Sequence, residues 1–504
     1  MAEDSIVTIS YPLKKSLKVE RASIPNGPAD YEAAMSAAGF GKYNLMLLIV
    51  TLPSAVSSIF ATTAMSFIML EAQCDLDLSL EDKGLLNAIT YMGMITSAFA
   101  WGIVGDTYGR RTVLLYSYSF DSIFCFLGSF STQKWMLILA KYCSGFVMCG
   151  PVAVLMTFLA EFHCSSFRPN IITILGIYYG IARTLLPLLA WWIMPLKLHA
   201  VIIPGIFEYK SWQIFLIICC IPALISGIVH YCLPETPKFL MTKGKYDKAL
   251  ELFRKIYSVN TGKDPDTYPI TELQDETYDT SDHHLDKNGV DSRNRLTKFV
   301  DILETIKPLF FPPYLCKTFL MCGIFFGGLL SGNTWRLWLP QLFTTMDEYS
   351  QAHNYTSDAT LCEMLDYSPK TTDNLYTNVT AECIVSDVND EVYINNTIVP
   401  VVSIFGYFLI GALVTKLGKK TLLIIQYTVS GILVIANYWA RDSLTTVILS
   451  SLFLTFFSIC ATTATSIAVE LFPTNFRTMA TSIALTFSNW LPATISIHQW
   501  IHVP

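Results

Sequence analysis

Uninterrupted apolar blocks, each about as long as a membrane-crossing helix, constrain this chain more than any other feature. A helix of roughly 20 residues spans a hydrocarbon core of about 30 Å, and in lipid the backbone must satisfy its own hydrogen bonds. Such blocks fall at 45–70, 84–104, 112–131, 136–160, 171–194 and 213–233. After a polar stretch at 234–315 come blocks at 316–342, 397–415, 421–440, 444–469 and 479–501. Composition agrees: 52% of the 504 residues are hydrophobic and only 15% are charged, whereas soluble domains carry about 25% charged residues. The expected fold class is an all-α, multi-pass membrane protein. The first forty residues are polar and include Lys14, Lys15, Lys18 and Arg21. No cleavable leader is therefore expected, and the first block should serve as the insertion signal.

Orientation follows from the basic residues of the short loops. Arg110, Arg111, Arg168, Lys416, Lys419, Lys420 and Arg477 follow the second, fourth, eighth and tenth blocks. The loop after the first block reads EAQCDLDLSLEDK, and the 343–396 loop carries ten acidic residues against Lys370. The N-terminus and the 234–315 segment should face the cytosol, and 343–396 the outside or a vesicle lumen. That outer loop holds three glycosylation acceptors, Asn354, Asn378 and Asn395, each followed at the second position by Thr. It also holds Cys362 and Cys383, a disulfide candidate in an oxidising compartment, with two unpaired thiols as the alternative. Cys74 is a third outer cysteine without an obvious partner. The expected segments are a cytosolic 1–43, a six-helix bundle at 44–233, a cytosolic linker at 234–315, and a second bundle at 316–504. The linker should contain a short amphipathic helix near Lys245–Tyr257 and a disordered acidic part from Asp264 to Arg295.

The chain also contains itself twice. GIVGDTYGRRTVLL, starting at Gly102, aligns without gaps on GALVTKLGKKTLL, starting at Gly411. Gly109 meets Gly418, and Arg110 and Arg111 meet Lys419 and Lys420, all 309 positions on. EFHCSSFR, Glu161 to Arg168, meets ELFPTNFR, Glu470 to Arg477, at that same offset. Duplicated halves of this kind rock about a site near the midplane.

GIVGDTYGRR resembles the signature between the second and third helices of the major facilitator superfamily, and GALVTKLGKK its weaker second copy. Pro234-Glu-Thr-Pro-Lys-Phe-Leu240 resembles a motif of the sugar and organic-ion branches. Tyr31-Glu-Ala-Ala, Gly39-Phe-Gly-Lys-Tyr43, Tyr91-Met-Gly-Met-Ile and Trp101-Gly resemble the synaptic vesicle glycoprotein 2 family and its insect-type relatives. The resemblance implies two pseudo-symmetric bundles working as a secondary carrier or facilitator of an organic ion or sugar-like solute, in a plasma or vesicle membrane. It implies gate roles for Gly102, Asp106, Gly109, Arg110, Arg111, Glu161, Arg168, Glu235, Gly418, Lys419, Lys420, Glu470 and Arg477. For the lysines, mere enforcement of topology is the alternative.

Ionisable residues within apolar blocks are costly and mark functional positions. Lys141, Arg183 and Arg336, with Tyr178 and Tyr179, are the substrate-pathway candidates; two cations on the pathway imply an anionic or zwitterionic solute. The plainer readings are that Lys141 pairs with Asp121, that Arg336 snorkels to a nearby helix end, and that the paired tryptophans form an interfacial belt. Two departures favour an alternative, a membrane glycoprotein that binds or regulates partners through its outer loop without transporting, or an inactive truncated isoform. The first block carries Ser57 and Ser58 where relatives carry acidic residues, and the repeat offset places a twelfth helix beyond Pro504. Nothing points to an enzyme, a cofactor, a metal or nucleic acid. The 418–421 region lacks the first glycine of a phosphate-binding loop, and His498 and His502 lack the glutamate of a zinc motif.

Overall fold

A computed structural model describes residues 28–198, 200–203, 207–274, 307–353, 359–365 and 389–471. These residues fall into two compact units.

The larger unit holds most of the long helices. α1 (Tyr31–Ala38) belongs to the smaller unit, while α2 (Lys42–Thr63) runs from one into the other. α3 (Met65–Glu71), α4 (Leu80–Tyr108), α5 (Arg110–Gly128), α6 (Lys134–Ala160) and α7 (Arg168–Ile193) follow. A short antiparallel hairpin, β1 (Ala200–Ile203) and β2 (Phe207–Tyr209), leads to α8 (Ser211–Cys232). Beyond the small helices α9 (Pro237–Thr242) and α10 (Tyr246–Thr261) come α11 (Leu315–Ala352), α12 (Leu361–Leu365), α13 (Asp390–Leu417), α14 (Lys419–Asn437) and α15 (Ser443–Leu471). Six of the described helices are long and apolar enough to cross a membrane by length and composition. Outward faces are apolar as well, on α5 and on two of these six, α8 and α14. Phe120, Ile123 and Leu127 on α5, Ile221, Leu224 and Ile228 on α8, and Ile424, Ile432 and Ile435 on α14 are all at least 44% exposed. Apolar surface of that extent along one helix face needs lipid rather than water against it.

The internal repeat reappears in the backbone. α4 ends at Gly109 (φ 98°) and α13 at Gly418 (φ 73°), both in the left-handed range that a side chain strains. α5 and α14 then begin at Arg110 and Lys419, and each has 19 residues. α5 packs on α8, and α14 on α15. Close helix crossing depends on missing side chains: a Cβ on Gly145 of α6 would lie 2.0 Å from the Thr90 carbonyl oxygen of α4. One on Gly93 of α4 would lie 2.3 Å from the Tyr142 oxygen of α6. Small residues letting backbones touch is how helices associate in lipid.

Several boundaries differ from the sequence reading. The first block is two helices, α2 and α3, divided at Ala64. α11 continues ten residues past its apolar block because the polar stretch that follows still favours helix; Gln351 Nε2 donates to Asp347 Oδ2 one turn back (2.8 Å). At 38 residues and 1.5 Å per residue it is about 57 Å long, nearly twice a hydrocarbon core. α13 likewise begins at Asp390, capped by Asn389, seven residues before its apolar block. The 200–209 hairpin was not foreseen. Cys74 is disulfide-bonded, although it lacked an obvious partner in sequence. The expected Cys362–Cys383 bond is not formed, since Cys362 carries no disulfide; Cys383 lies outside the described residues, as do Asn354, Asn378 and everything after Leu471.

The smaller unit is built from residues within 28–49, 158–169 and 235–274. Asp30 caps α1 by accepting from the Ala33 amide (2.7 Å), and Thr236 caps α9, whose first residue is Pro237. α10 buries Ala249, Leu252, Phe253 and Ile256, one helical stripe, and stops at Gly262 (φ 73°). Residues 264–274, expected to belong to a disordered tail, are ordered. Tyr268 and Ile270 are buried, Tyr268 donates to the Ala34 carbonyl (2.6 Å), and Leu273 bridges to Ala29. Those two apolar side chains give an otherwise acidic segment something to bury. The remainder, 275–295, lies outside the described residues.

Candidate functional site

Helices α2, α3, α7, α11, α13 and α15 surround a cavity of about 50 Å³ in the larger unit. That holds a few waters, each needing about 10–15 Å³ on this measure, so the walls stand close together in this state. The first half contributes Arg183 of α7 and the second half Arg336 of α11; Asn396 of α13 adds an amide, and among the described residues no carboxylate lines the space. Arg183 is half-buried and its Nε makes no hydrogen bond. Arg336 lies over the Phe457 ring, 6.0 Å from its centroid. Both guanidinium groups act electrostatically on the Tyr91 hydroxyl of α4. α11 runs on to Ala352, so Arg336 lies near the helix middle, six residues before the end of its apolar block at 342. Two pathway candidates, from blocks far apart in sequence, therefore meet.

The others do not join them. Lys141 of α6 is 2% exposed, does not line the cavity, and its ammonium has no hydrogen-bond partner. Asp121 of α5 feels its charge but accepts instead from Ser144 Oγ (2.5 Å). The pairing alternative thus holds as an electrostatic neighbourhood without a hydrogen bond. Nearby Ser58 Oγ and the Tyr118 hydroxyl (3.4 Å apart) are anchored on the Ser54 carbonyl, so Ser58 of α2 is a structural partner. Tyr179 packs against the apolar core of the first half, and Tyr178 is half-buried; neither lines the cavity.

The two halves are also tied at one end of the larger unit. Lys83 at the start of α4 donates to Gln73 Oε1 and Gln341 Oε1 of α11, both at 2.8 Å. Trp191 at the end of α7 donates to Asp390 Oδ1 at the start of α13 (2.9 Å). Sequence reasoning missed these ties, because a glutamine or an aspartate at a helix start looks like any other polar residue until its partner is placed.

Of the gate candidates, Arg111 caps the C-terminus of α8, donating to the His230 carbonyl (2.9 Å) and the Tyr231 carbonyl (2.5 Å). Arg110 donates back to the Gly105 carbonyl (3.2 Å). Lys420 is exposed and Lys419 half-buried. In the smaller unit Glu161 accepts from Thr236 Oγ1 (2.6 Å), and its carbonyl accepts from the buried Tyr31 hydroxyl (2.7 Å). Arg168 pairs with Glu32 and lies over the Tyr31 ring. Glu235 accepts from the Thr236 amide (3.1 Å). Asn260 of α10 binds the Ala38 and Gly39 carbonyls and Asn44. Burial and neighbouring carboxylates push the Tyr31 hydroxyl well above its usual range despite Arg168. Tyr31, Glu32, Thr236 and Asn260 were not singled out from sequence as site residues; the Tyr31-Glu-Ala-Ala string held Tyr31 and Glu32 and the Pro234–Leu240 motif held Thr236, while nothing marked Asn260. The side chains of Asp106 and Glu470, the surroundings of Gly102, and all of Arg477 lie outside the described residues.

Asn395 lies inside α13, and its Nδ2 donates to Ser443 Oγ (2.8 Å). An acceptor asparagine belongs on an accessible surface loop; this one is helical and engaged.

Two duplicated bundles of lipid-facing helices around a midway cavity define the class: a major facilitator-type membrane protein. The family model described as "Sugar (and other) transporter" matches residues 54–351, more than half the chain. The chain belongs to that family. It is similar to the rat synaptic vesicle glycoprotein 2B, 25% identical over 337 residues that cover 65% of this chain and 48% of that one. It is also similar to the human synaptic vesicle glycoprotein 2C, 27% identical over 266 residues, 51% of this chain and 37% of the relative. The chain spans half or less of the length of these curated relatives. Among solved structures it resembles the inward-open xylose transporter XylE of E. coli, with a TM-score of 0.59, 14% identity and 90% of each chain covered. It also resembles a bacterial homologue of the human lysosomal transporter Spinster, inward-facing and occupied, with a TM-score of 0.58, 12% identity, and 91% and 81% covered. At such identities the likeness concerns the fold.

Proposed function

We propose that this chain carries a small solute across its membrane by alternating access, as a secondary carrier or facilitator, with its N-terminus in the cytosol. The observation that carries the reading is the cavity lined by both halves of the repeat, through Arg183 of the first and Arg336 of the second. A site shared by two halves is exposed to one side and then the other when they rock. On the orientation inferred from loop charge, the Lys83–Gln341 and Trp191–Asp390 ties are the outer gate, and the Asp106–Arg111 segment belongs to the cytosolic side. The membrane would be a vesicular or plasma membrane, a reading that the likeness to synaptic vesicle glycoproteins supports. The experiment is counterflow in proteoliposomes. Preloaded solute should drive uptake of labelled solute, and Asp106→Asn should slow it while leaving insertion intact. A well-inserted protein that exchanges no solute of any charge class overturns the reading.

One observation favours a second reading, a membrane glycoprotein that acts through partners. α2 offers Ser57 and Ser58, both buried, and no carboxylate for a coupling ion. Counterflow separates the two readings, since a non-transporter exchanges nothing.

A further inference from the structure

Resting on the carrier reading, we propose that the first half holds a buried proton-binding site, Asp121 of α5 beside Lys141 of α6, whose protonation shifts the chain between its two closures. Asp121 is 3% exposed and Lys141 2%. Ser144 Oγ donates to Asp121 Oδ1 (2.5 Å), which fixes the carboxyl against α6. Ser144 and Lys141 lie three residues apart on that helix, so they share a face with Cβ atoms about 5–6 Å apart. Carboxyl and ammonium therefore occupy one small region inside the bundle. They do not close into a bonded pair, since Lys141 Nζ has no hydrogen-bond partner. A buried ion pair repays its desolvation only with close geometry and further hydrogen bonds. An open pair is a poor strut and a good place for a proton. Taking one up from water turns the Asp121 carboxylate into a neutral acid, and closing the gap to the Lys141 ammonium returns that proton to water.

The elements around Asp121 leave Lys141 as its charged neighbour. α2 meets α5 where the Tyr118 hydroxyl, one turn from Asp121, donates to the Ser54 carbonyl (3.0 Å), and it presents serines there. α8 meets α5 where Cys125 Sγ donates to the Leu216 carbonyl (3.6 Å); it brings the thiols of Cys219 and Cys220, and the His230 ring stacks on Tyr118 (5.7 Å). Ser54, Ser57 and Ser117 are at most 1% exposed, and their hydroxyls have no hydrogen-bond partner. A hydroxyl both donates and accepts, so these serines give a proton a polar route along α2. Duplication sharpens the point. The positions 309 residues beyond Asp121 and Lys141 are Ser430 and Ser450, and Ser450 Oγ accepts from Trp335 Nε1 (3.0 Å). The second half has neutral hydroxyls where the first keeps two charges, so the chain binds one such proton rather than two. Ionisable residues held inside a membrane bundle mark function.

The test is the pH dependence of the two closures in the purified full chain in detergent, with the proton as the only ligand. Spin labels at Thr132 and Arg441, exposed positions related by the repeat, report the separation. In the otherwise wild-type chain the ratio of short to long distances should change by about threefold or more between about pH 5 and about pH 9, reversibly. Asp121→Asn, which holds the group in a neutral form, should keep one ratio at every pH. Lys141→Met should move the midpoint up by about one unit or more, because the cation that favours the carboxylate is gone. A merely structural pair would lower stability in both variants and move no midpoint. A wild-type ratio that ignores pH overturns the proposal. So does a response that survives Asp121→Asn, which would belong to His163 or His230. If Asp121→Asn fails to fold, infrared spectra decide. A buried carboxylic acid band should rise with the same midpoint in the wild-type chain and move with it in Lys141→Met, and its absence overturns the proposal. Counterflow of xylose, benzoate and benzyltrimethylammonium, which needs no proton gradient, separates this inference from the reading beneath it. Exchange without a pH response sinks the proton site and keeps the carrier. A pH response without exchange keeps the site and sinks the carrier.

Discussion

His163 shows how much one side chain in the smaller unit depends on staying dry. It is 1% exposed, stacked on Phe167, and its Nδ1 donates to the Leu159 carbonyl (2.7 Å) while Nε2 has no partner. Burial, with Arg168 adding to it, pulls its pKa down from 6.5 to about 4, against the opposing pull of the Leu159 bond. The folded chain thus binds fewer protons than the unfolded one between those values, so stability falls as pH drops from 6.5 towards 4. The loss is at most of order 3 kcal/mol by 1.36 kcal/mol per unit. Melting curves across that range should show it, and His163→Phe should flatten the slope; an unchanged slope would assign the loss elsewhere. Asn395 makes a different prediction at the same scale. Because its amide is engaged by Ser443 inside α13, Asn395→Gln should leave glycoprotein mobility unchanged. Asn354→Gln and Asn378→Gln should each remove one glycan, and a glycan lost with Asn395 would contradict the structural reading.

Helices were the most legible level, for a physical reason. The apolar blocks are set by the thickness of lipid, so their number and order follow from sequence, and all ten blocks within the described residues became helices. Their ends were less legible where lipid does not set them: α11 and α13 run into polar sequence because nothing there stops a helix. The charged pathway candidates were legible as residues but not as neighbours. Arg183 and Arg336 meet because α7 and α11 pack around one space, whereas Lys141 faces Asp121 inside its own bundle. Ties such as Lys83 with Gln341 left no mark in sequence at all. The crossing of α4 and α6 makes the element-scale prediction. Gly145→Val would drive a side chain onto the Thr90 carbonyl, 2.0 Å from where its Cβ must lie. The cost should be about 1–3 kcal/mol or more, the range for overpacking. Gly145→Val should therefore yield less monodisperse protein in size-exclusion chromatography and melt several degrees lower. Gly431→Val, with open space around it, should not.

At the scale of the whole molecule, duplication is the organising fact. A left-handed glycine followed by a 19-residue helix recurs 309 positions later, so each half has the same hinge between its second and third helices. Two like bodies around one shared cavity have two comparable ways to close, which is what alternating access requires. The ties at one end, Lys83 to Gln341 and Trp191 to Asp390, hold one of those closures. Weakening them, for instance by Lys83→Met with Trp191→Phe, should shift the population towards the other state without unfolding either half. Spin labels at Thr132 and Arg441, exposed and equivalent by the repeat, would report the separation directly. In the wild-type chain the account predicts two distance populations, with the longer one enriched by the Lys83→Met, Trp191→Phe variant. One distance, unchanged in wild type and variant, would contradict it.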